Sequence, residues 1–203
     1  MTSRFVRVAL ASAALAAVAG CFDEPVPASK TVPVGARLYL QDKALKDLSS
    51  CKDALKPDLV DYVNLDRNEL EAFPTELVSL TGLKWLRLNG NRLSDLPDLS
   101  ALVSLRRIYL RANRFTKVPE ALRGLPSLTD VDLSLNPLTV IPQWLVDIRS
   151  LENVSLSETR VSKLPDDLSG WKGLTTLQLG GLKMSAEEMA RIRAALPGVA
   201  IVF

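Results

Sequence analysis

Residues 83–102 read LKWLRLNGNRLSDLPDLSAL, and this stretch is the unit that the rest of the chain repeats. Its leucines have a spacing that fits neither a helix nor a simple strand, and they fall at Leu83, Leu86, Leu88, Leu93 and Leu96. Asn91 lies between them, and Pro97 follows them. A pattern of this kind indicates a repeating unit rather than one continuous helix or strand.

The same pattern recurs through most of the chain at a nearly constant interval. One column of the repeat contains asparagine, at Asn68, Asn91, Asn113 and Asn136. Thr159 and Leu182 occupy the next two places of that column. A second column contains proline, at Pro74, Pro97, Pro119, Pro142 and Pro165. Two apolar columns keep the same step, so chance does not explain the pattern.

The unit L-x-x-L-x-L-x-x-N-x-L, followed by a Leu-Pro step, resembles the leucine-rich repeat family. The resemblance covers residues 37–203 and implies an α/β repeat solenoid of about six repeats. It implies a parallel sheet on the concave side and short helical or 3₁₀ turns on the convex side. In this family the asparagine amide bonds backbone groups of the turn and of the neighbouring coil. A structural ladder is therefore expected from Asn68, Asn91, Asn113 and Asn136, and it should weaken at Thr159 and Leu182.

Both ends of the array are expected to carry a modified unit, because a stacked solenoid exposes its apolar core at an open end. Residues 38–40 mimic residues 63–65, which predicts an N-terminal half-repeat. Near the C-terminus, Ser185 and Glu188 have the spacing of a capping box at the start of a helix. Residues 199–203 alternate as a final strand. This helix and strand predict a C-terminal cap.

The N-terminal segment reads MTSRFVRVALASAALAAVAGC, with Arg4 and Arg7 ahead of an uncharged run from Val8 to Gly20. The run is short for a bilayer span and ends in small residues, which is typical of a signal peptide. Residues 18–21, VAGC, resemble a bacterial lipobox, in which cleavage precedes the cysteine and the thiol receives diacylglycerol. We therefore expect residues 1–20 to be a lipoprotein signal peptide and Cys21 to be lipidated. An ordinary secretory signal with an incidental Cys21 is the alternative.

A lipid on Cys21 would hold the domain at a bacterial membrane. Residues 21–36 contain three prolines and little apolar periodicity, which predicts an extended tether between the lipid and the domain at 37–203. Phe22 stands where an aspartate tends to retain enterobacterial lipoproteins in the inner membrane. We therefore expect the outer membrane rather than the inner one, with the domain either periplasmic or surface-exposed.

The composition argues against several classes of function. The chain has 25 Lys+Arg and 23 Asp+Glu, and the expected loss of Arg4 and Arg7 leaves it neutral, so nothing favours nucleic-acid binding. The chain has no histidine and two cysteines, which excludes His-based acid–base catalysis, Ser–His or Cys–His dyads and cysteine metal clusters. We expect no enzyme activity, no metal and no cofactor. Cys51 is expected to be buried, with a reactive thiol or an intermolecular disulfide as alternatives.

Strand alternation identifies the side chains on the concave surface. One outward column runs Tyr62, Trp85, Arg107, Asp130, Asn153 and Thr176, and the next runs Asn64, Arg87, Tyr109, Asp132, Ser155 and Gln178. Neighbouring strands lie about 4.8 Å apart, so aromatic and arginine side chains of adjacent repeats should form one patch bordered by carboxylates. The candidate binding residues are Tyr62, Trp85, Arg87, Arg107, Tyr109, Arg111, Asp130 and Asp132.

Tryptophan, tyrosine and arginine are the residue types most enriched at interface hot spots. The patch therefore predicts a non-catalytic module that binds a protein of the cell envelope, anchored by Trp85 and Tyr109 and oriented by the arginines. Arginines that only pair with neighbouring aspartates are the structural alternative. Carbohydrate or cell-wall recognition is a second functional hypothesis, and a structural surface lipoprotein without a dedicated ligand is a third.

Overall fold

A parallel sheet of eight strands dominates the computed structural model, which describes residues 35–49, 51 and 55–203. The strands lie in sequence order, so each of β2–β7 hydrogen-bonds to the strands of the preceding and following coils, and β1 and β8 form the two edges. They are β1 Ala36–Tyr39, β2 Val60–Asn64, β3 Trp85–Arg87, β4 Arg107–Tyr109, β5 Asp130–Asp132, β6 Asn153–Ser155, β7 Thr176–Gln178 and β8 Ala200–Val202. This arrangement confirms the predicted repeat solenoid with its parallel sheet.

Several features predicted for the N-terminus fall on residues 1–34, outside the described part of the chain. They are the signal peptide, the lipidation of Cys21 and most of the tether, and they stay predictions. Among the described residues, no helix has both the length and the hydropathy needed to cross a bilayer.

The strand register aligns equivalent residues of successive repeats. Trp85 on β3 lies between Tyr62 on β2 and Arg107 on β4, and the same step continues along the sheet. The inward residues of β2–β7 are at most 2% exposed, and they are Val63, Leu86, Ile108, Val131, Val154 and Leu177. Because side chains alternate along a strand, one face of the sheet covers the core and the opposite face forms the concave surface.

The N-terminal half-repeat is present as β1. Leu38 of β1 lies opposite Val63 of β2, as the similarity between these two segments of the sequence predicted. Leu38 and Leu40 are 5% and 4% exposed and join the same core as the complete repeats. Cys51 belongs to this core and is 1% exposed, so the expectation that it is buried is confirmed.

Short helices form most of the return segments on the convex side, as predicted. Between residues 55 and 180, three are 3₁₀ helices, at Thr75–Ser79, Glu120–Gly124 and Ser169–Gly173, and one is a single α-helical turn at Gln143–Val146. A proline in an extended conformation precedes three of the four, at Pro74, Pro119 and Pro142. Each helix packs at least one fully buried side chain against the core, and these are Leu77, Leu122, Leu145 and Trp171.

The residue directly before each position of the asparagine column adopts the left-handed backbone conformation, with a positive φ angle. The φ angles of the four non-glycine cases are +54° at Arg67, +54° at Ala112, +53° at Leu135 and +57° at Glu158. Only two of the six positions carry glycine, the residue that adopts this conformation without penalty, so the sequence did not reveal the feature. Hydrogen bonds between coils enforce it, as in the 2.9 Å bond from the Ala112 N–H to the Ser134 carbonyl.

Asparagine side chains connect the turns of successive coils. Asn113 donates from Nδ2 to the carbonyl oxygens of Leu88 and Leu110, each at 2.9 Å, and its Oδ1 accepts the Leu93 N–H at 3.0 Å. The Leu110 carbonyl also accepts from the amide of Asn136, so successive asparagines share an acceptor. Equivalent bonds are made by the other two asparagines of the column, Asn68 and Asn91.

Thr159 occupies the next place of this column and lacks these side-chain hydrogen bonds. Its hydroxyl oxygen is buried and has no hydrogen-bond partner among the described residues. A hydroxyl on a short side chain does not reach the backbone groups that an asparagine amide would bond. Leu182, at the following place, has no polar side chain at all.

The helix Ala186–Ala195 and strand β8 close the C-terminal end, as predicted. The Ser185 hydroxyl accepts the N–H of Glu188 at 3.1 Å, which is one half of a capping box. The Glu188 carboxylate instead accepts the Leu164 N–H at 2.9 Å and pairs with Arg191 at 2.8 Å. The Arg191 hydrogen bond is the main cause that lowers the pKa of Glu188. The charged carboxylate thereby ties the helix to the preceding coil.

Candidate functional site

The sequence-predicted binding residues lie together on the concave surface of β2–β5. The first row contains Tyr62, Trp85, Arg107 and Asp130, at equivalent places on successive strands. The second row contains Arg87, Tyr109 and Asp132. Arg111 follows the end of β4 and is exposed. Three strand spacings separate β2 from β5, so the whole group lies within about 14 Å across the sheet.

Strand β1 adds two side chains that the sequence analysis did not include. Arg37 lies opposite Tyr62 in the register, and Tyr39 lies opposite Asn64. The Tyr39 ring centroid is 5.4 Å from that of Tyr62, which is in turn 5.9 Å from that of Trp85 in an edge-to-face arrangement. The alignment that identified the half-repeat also assigns Arg37 and Tyr39 to the outward columns, so the signal was present in the sequence.

Two guanidinium groups approach the Trp85 ring from opposite sides, one from the adjacent strand β4 and one from β1, beyond Tyr62. The Arg107 Cζ lies 4.6 Å from the Trp85 ring centroid. The Arg37 Cζ lies 5.9 Å from the same centroid and 5.6 Å from that of Tyr62. These distances allow cation–π attraction. We call Arg37, Tyr39, Tyr62, Trp85 and Arg107 the aromatic–arginine cluster.

The other two predicted arginines are held by groups outside this cluster. Arg87 donates from Nε to Asp66 Oδ2 at 2.7 Å, and its Nη2 lies 2.6 Å from the same oxygen. Asp66 is 3% exposed, so loss of Arg87 would leave a buried carboxylate without its cation. Arg111 donates to the Ser134 hydroxyl at 3.0 Å. For Arg87, the pairing with an aspartate that the sequence left open is therefore present, and its role includes supporting the fold.

The carboxylate of Asp130 is also buried and hydrogen-bonded by neighbouring side chains of the sheet. It is 8% exposed, and its two oxygens accept the Thr129 hydroxyl at 2.6 Å and the Asn153 amide at 3.0 Å. Its approach to Arg107 is looser, with 3.4 Å between Nε and Oδ2. The Arg107 guanidinium is thus placed more by the Trp85 ring than by this carboxylate.

From Tyr109 toward the C-terminal strands, the concave surface is polar and contains a shallow depression. A depression of about 210 Å³ is lined by side chains of β4–β7, namely Tyr109, Asp130, Asp132, Asn153, Ser155, Thr176 and Gln178, with Val131 and Val154 beneath them. Asp132 is half-buried here, and its Oδ1 accepts both the N–H and the hydroxyl of Ser134. The lining contains two carboxylates and no cation. The surface therefore changes from aromatic and cationic at β1–β4 to polar and anionic at β5–β7.

The groups of the aromatic–arginine cluster suit binding rather than bond-breaking chemistry. Burial raises the pKa of Tyr62 above its usual value of 10.0, so this phenol is not poised to act as a base at neutral pH. The cluster offers ring faces, hydroxyl groups and guanidinium N–H groups. No group of three His, Cys, Asp or Glu residues that could hold a metal ion occurs in the part of the chain that the structure describes.

Comparison with known families identifies the repeat. The sequence model of the family described as "Leucine rich repeat" matches residues 58–115 and 103–161, which together span just over half of the chain. No curated protein sequence matches the chain.

Three of the similar solved structures come from bacteria. A leucine-rich repeat protein of Leptospira interrogans is 29% identical, with a TM-score of 0.64 over 75% of this chain and 45% of its own. Internalin C2 of Listeria monocytogenes is 25% identical, with a TM-score of 0.67 over 82% and 70%. Another internalin of that species is 19% identical, with a TM-score of 0.62 over 83% and 54%, and shares the fold alone. The chain spans about half the length of the first and the last of these proteins.

Proposed function

This chain belongs to the leucine-rich repeat family, and we propose that its concave surface binds a protein partner at a bacterial cell envelope without catalysing a reaction. Members of this family are commonly protein-interaction modules. A repeat scaffold does not specify its partner, so the proposal depends on what the scaffold displays. The observation that carries it is the aromatic–arginine cluster on β1–β4.

The cluster has the properties of an interface centre. Tyr62 and Trp85 are half-buried and Tyr39 is 40% exposed, so their ring faces are only partly covered within the chain. A partner that covers them removes apolar area from water while the neighbouring guanidinium groups supply directional hydrogen bonds. Trp85 occupies the middle of the row and is the anchor in this proposal. Arg107 and Arg37 orient the partner, and Arg87 maintains the surface through Asp66.

Photo-crosslinking in living cells tests this placement. A photoreactive amino acid is introduced at Trp85 and, as a control, at Arg123, which is exposed on the convex helix Glu120–Gly124. We expect a discrete protein adduct from position 85 and none of the same mass from position 123. The adduct is identified by mass spectrometry. Equal labelling from both positions, or no adduct at position 85, would contradict concave binding.

Attachment to the membrane is the second part of the proposal. It rests on the VAGC sequence at 18–21 and on Cys21 as the acceptor of the lipid, with the outer membrane as the expected location. The Cys21→Ala protein should lose both incorporation of labelled palmitate and cleavage after Gly20. Cys51→Ala is the matched control and should keep both properties, because Cys51 is buried in the domain core. Palmitate incorporation or unchanged cleavage in the Cys21→Ala protein would reject lipidation at Cys21.

Carbohydrate binding is the second candidate function, and the polar depression beside Tyr109 is the observation that favours it. Its carboxylate, amide and hydroxyl groups are those that bond sugar hydroxyls, and the Tyr109 ring offers a face for stacking. Titration calorimetry with purified cell-wall fragments separates the candidates. Saturable heat would support glycan binding, and its absence would leave protein binding.

A further inference from the structure

The arginines of the concave surface differ in how closely each one pairs with a carboxylate of the same chain. Arg87 contacts the buried carboxylate of Asp66 at 2.6 Å. Arg107 approaches Asp130 only to 3.4 Å, and Asp130 already accepts two other side-chain hydrogen bonds. The guanidinium of Arg107 lies over the ring of Trp85 instead. Its outer N–H groups are therefore available to a carboxylate from a partner.

The positive charge of Arg37 is even less neutralised by the fold than that of Arg107. It is exposed and forms no ion pair within the described residues, and its nearest concave neighbours are the rings of Tyr62 and Trp85. A guanidinium that rests on an aromatic face keeps its in-plane donors directed outward. Two cations with available donors thus flank the Trp85 ring, on β1 and β4.

The sign of the charge reverses further along the same surface. Asp130 and Asp132 face the depression on β5–β7, and no cation lines it. The distance from β1 to the edge of this anionic region is four strand spacings, about 19 Å. A long polyanion that lay across the sheet would meet repulsion there. A protein segment fits both regions, because its charge can change within a few residues.

We infer that the partner is a protein whose docking segment is acidic over β1–β4 and neutral or basic over β5–β7. This inference rests on the proposed function and specifies the chemistry of the partner at that surface. Carboxylates of the segment accept hydrogen bonds from Arg37 and Arg107, and an apolar side chain between them covers Trp85. The reversal of charge along the sheet fixes the direction in which the segment lies.

Selection from a random peptide library displayed on phage tests this chemistry, with the full chain as the bait. Peptides whose binding is lost with Trp85→Ala are expected to contain more Asp and Glu than the unselected library. One such peptide is then compared by fluorescence anisotropy with its Asn and Gln version, which should bind about tenfold more weakly. Arg37→Gln should weaken binding of the acidic peptide about three- to tenfold. Arg123→Gln on the convex side is the matched control and should stay within about twofold.

Each outcome decides the inference. Trp85-dependent peptides without an acidic excess would overturn it and leave concave binding in place. Acidic peptides that bind Arg37→Gln as tightly as the native protein would also overturn it, and this variant changes an exposed side chain that the core does not use. A library that yields no Trp85-dependent peptide overturns it as well. Crosslinking from position 85 then tests concave binding separately.

Discussion

Replacing Asn113 by alanine is expected to lower the free energy of unfolding by about 2–3 kcal/mol. The substitution leaves the buried Leu93 N–H without an acceptor and removes one of the donors to the carbonyls of Leu88 and Leu110. It breaks the connection between two neighbouring coils in the middle of the array, where water does not reach the freed groups. Urea unfolding followed by circular dichroism measures the change.

Two further variants test whether the loss of stability comes from the buried ladder bonds. Asn89→Ala removes an asparagine that accepts the exposed Arg111 N–H, and it should change the stability by less than about 1 kcal/mol because water replaces the lost bond. Thr159→Asn restores a missing member of the ladder. A side-chain amide at that position can donate to the backbone carbonyls of Leu133 and Leu156 and accept the backbone N–H of Leu138. It should add about 1 kcal/mol. A loss for Asn113→Ala no larger than that for Asn89→Ala would contradict a stabilising ladder.

Gly170→Ala is expected to destabilise the domain by about 3 kcal/mol. Gly170 lies in the 3₁₀ helix Ser169–Gly173, where the return segment packs closely on the helix of the preceding coil. A Cβ at this position would overlap the carbonyl oxygen of Val146 and lie 2.9 Å from its carbon. Both atoms belong to the backbone, so relief requires the two coils to separate. Thermal unfolding of the purified domain measures the effect.

Gly173→Ala is the matched control in the same helix. A Cβ at Gly173 meets no atom within 4 Å, so the stability should change by less than about 0.5 kcal/mol. If both substitutions had similar effects, the cause would be the helix backbone rather than close packing against Val146.

The architecture followed from the sequence because the constant step of the repeat determines both faces of the sheet at once. When Val63 and its equivalents point into the core, the residues on either side of them must point outward. The sequence alone therefore predicts the row that contains Tyr62, Trp85 and Arg107. The same reasoning reaches β1, where Arg37 and Tyr39 complete the cluster.

What the sequence could not predict depends on distances within the folded surface. Arg87 and Arg107 have the same residue type and lie on adjacent strands. The first contacts the carboxylate of Asp66 at 2.6 Å, whereas the second lies over the Trp85 ring and comes only within 3.4 Å of Asp130. Periodicity cannot distinguish them, because the difference arises from the position of Asp66 after the end of β2. The Glu188 carboxylate likewise bonds Leu164 in the preceding coil rather than its own helix start.

Left-handed turns were also missed, for a related reason. Leu135 and Glu158 adopt a conformation that their side chains disfavour by roughly 1 kcal/mol or more, so local preference argues against it. The bonds between coils override that preference. Tertiary context therefore decides the turn geometry, while the repeat pattern decides the strands.

The affinity of the crosslinked partner for Trp85→Ala tests concave binding most directly. Trp144→Ala is the matched variant, because it removes an indole from the convex helix Gln143–Val146. Surface plasmon resonance should show a loss of about 30-fold or more for Trp85→Ala and a change within about threefold for Trp144→Ala, with both proteins folded by circular dichroism. Unchanged affinity of Trp85→Ala, or an equal loss in both variants, would contradict the account.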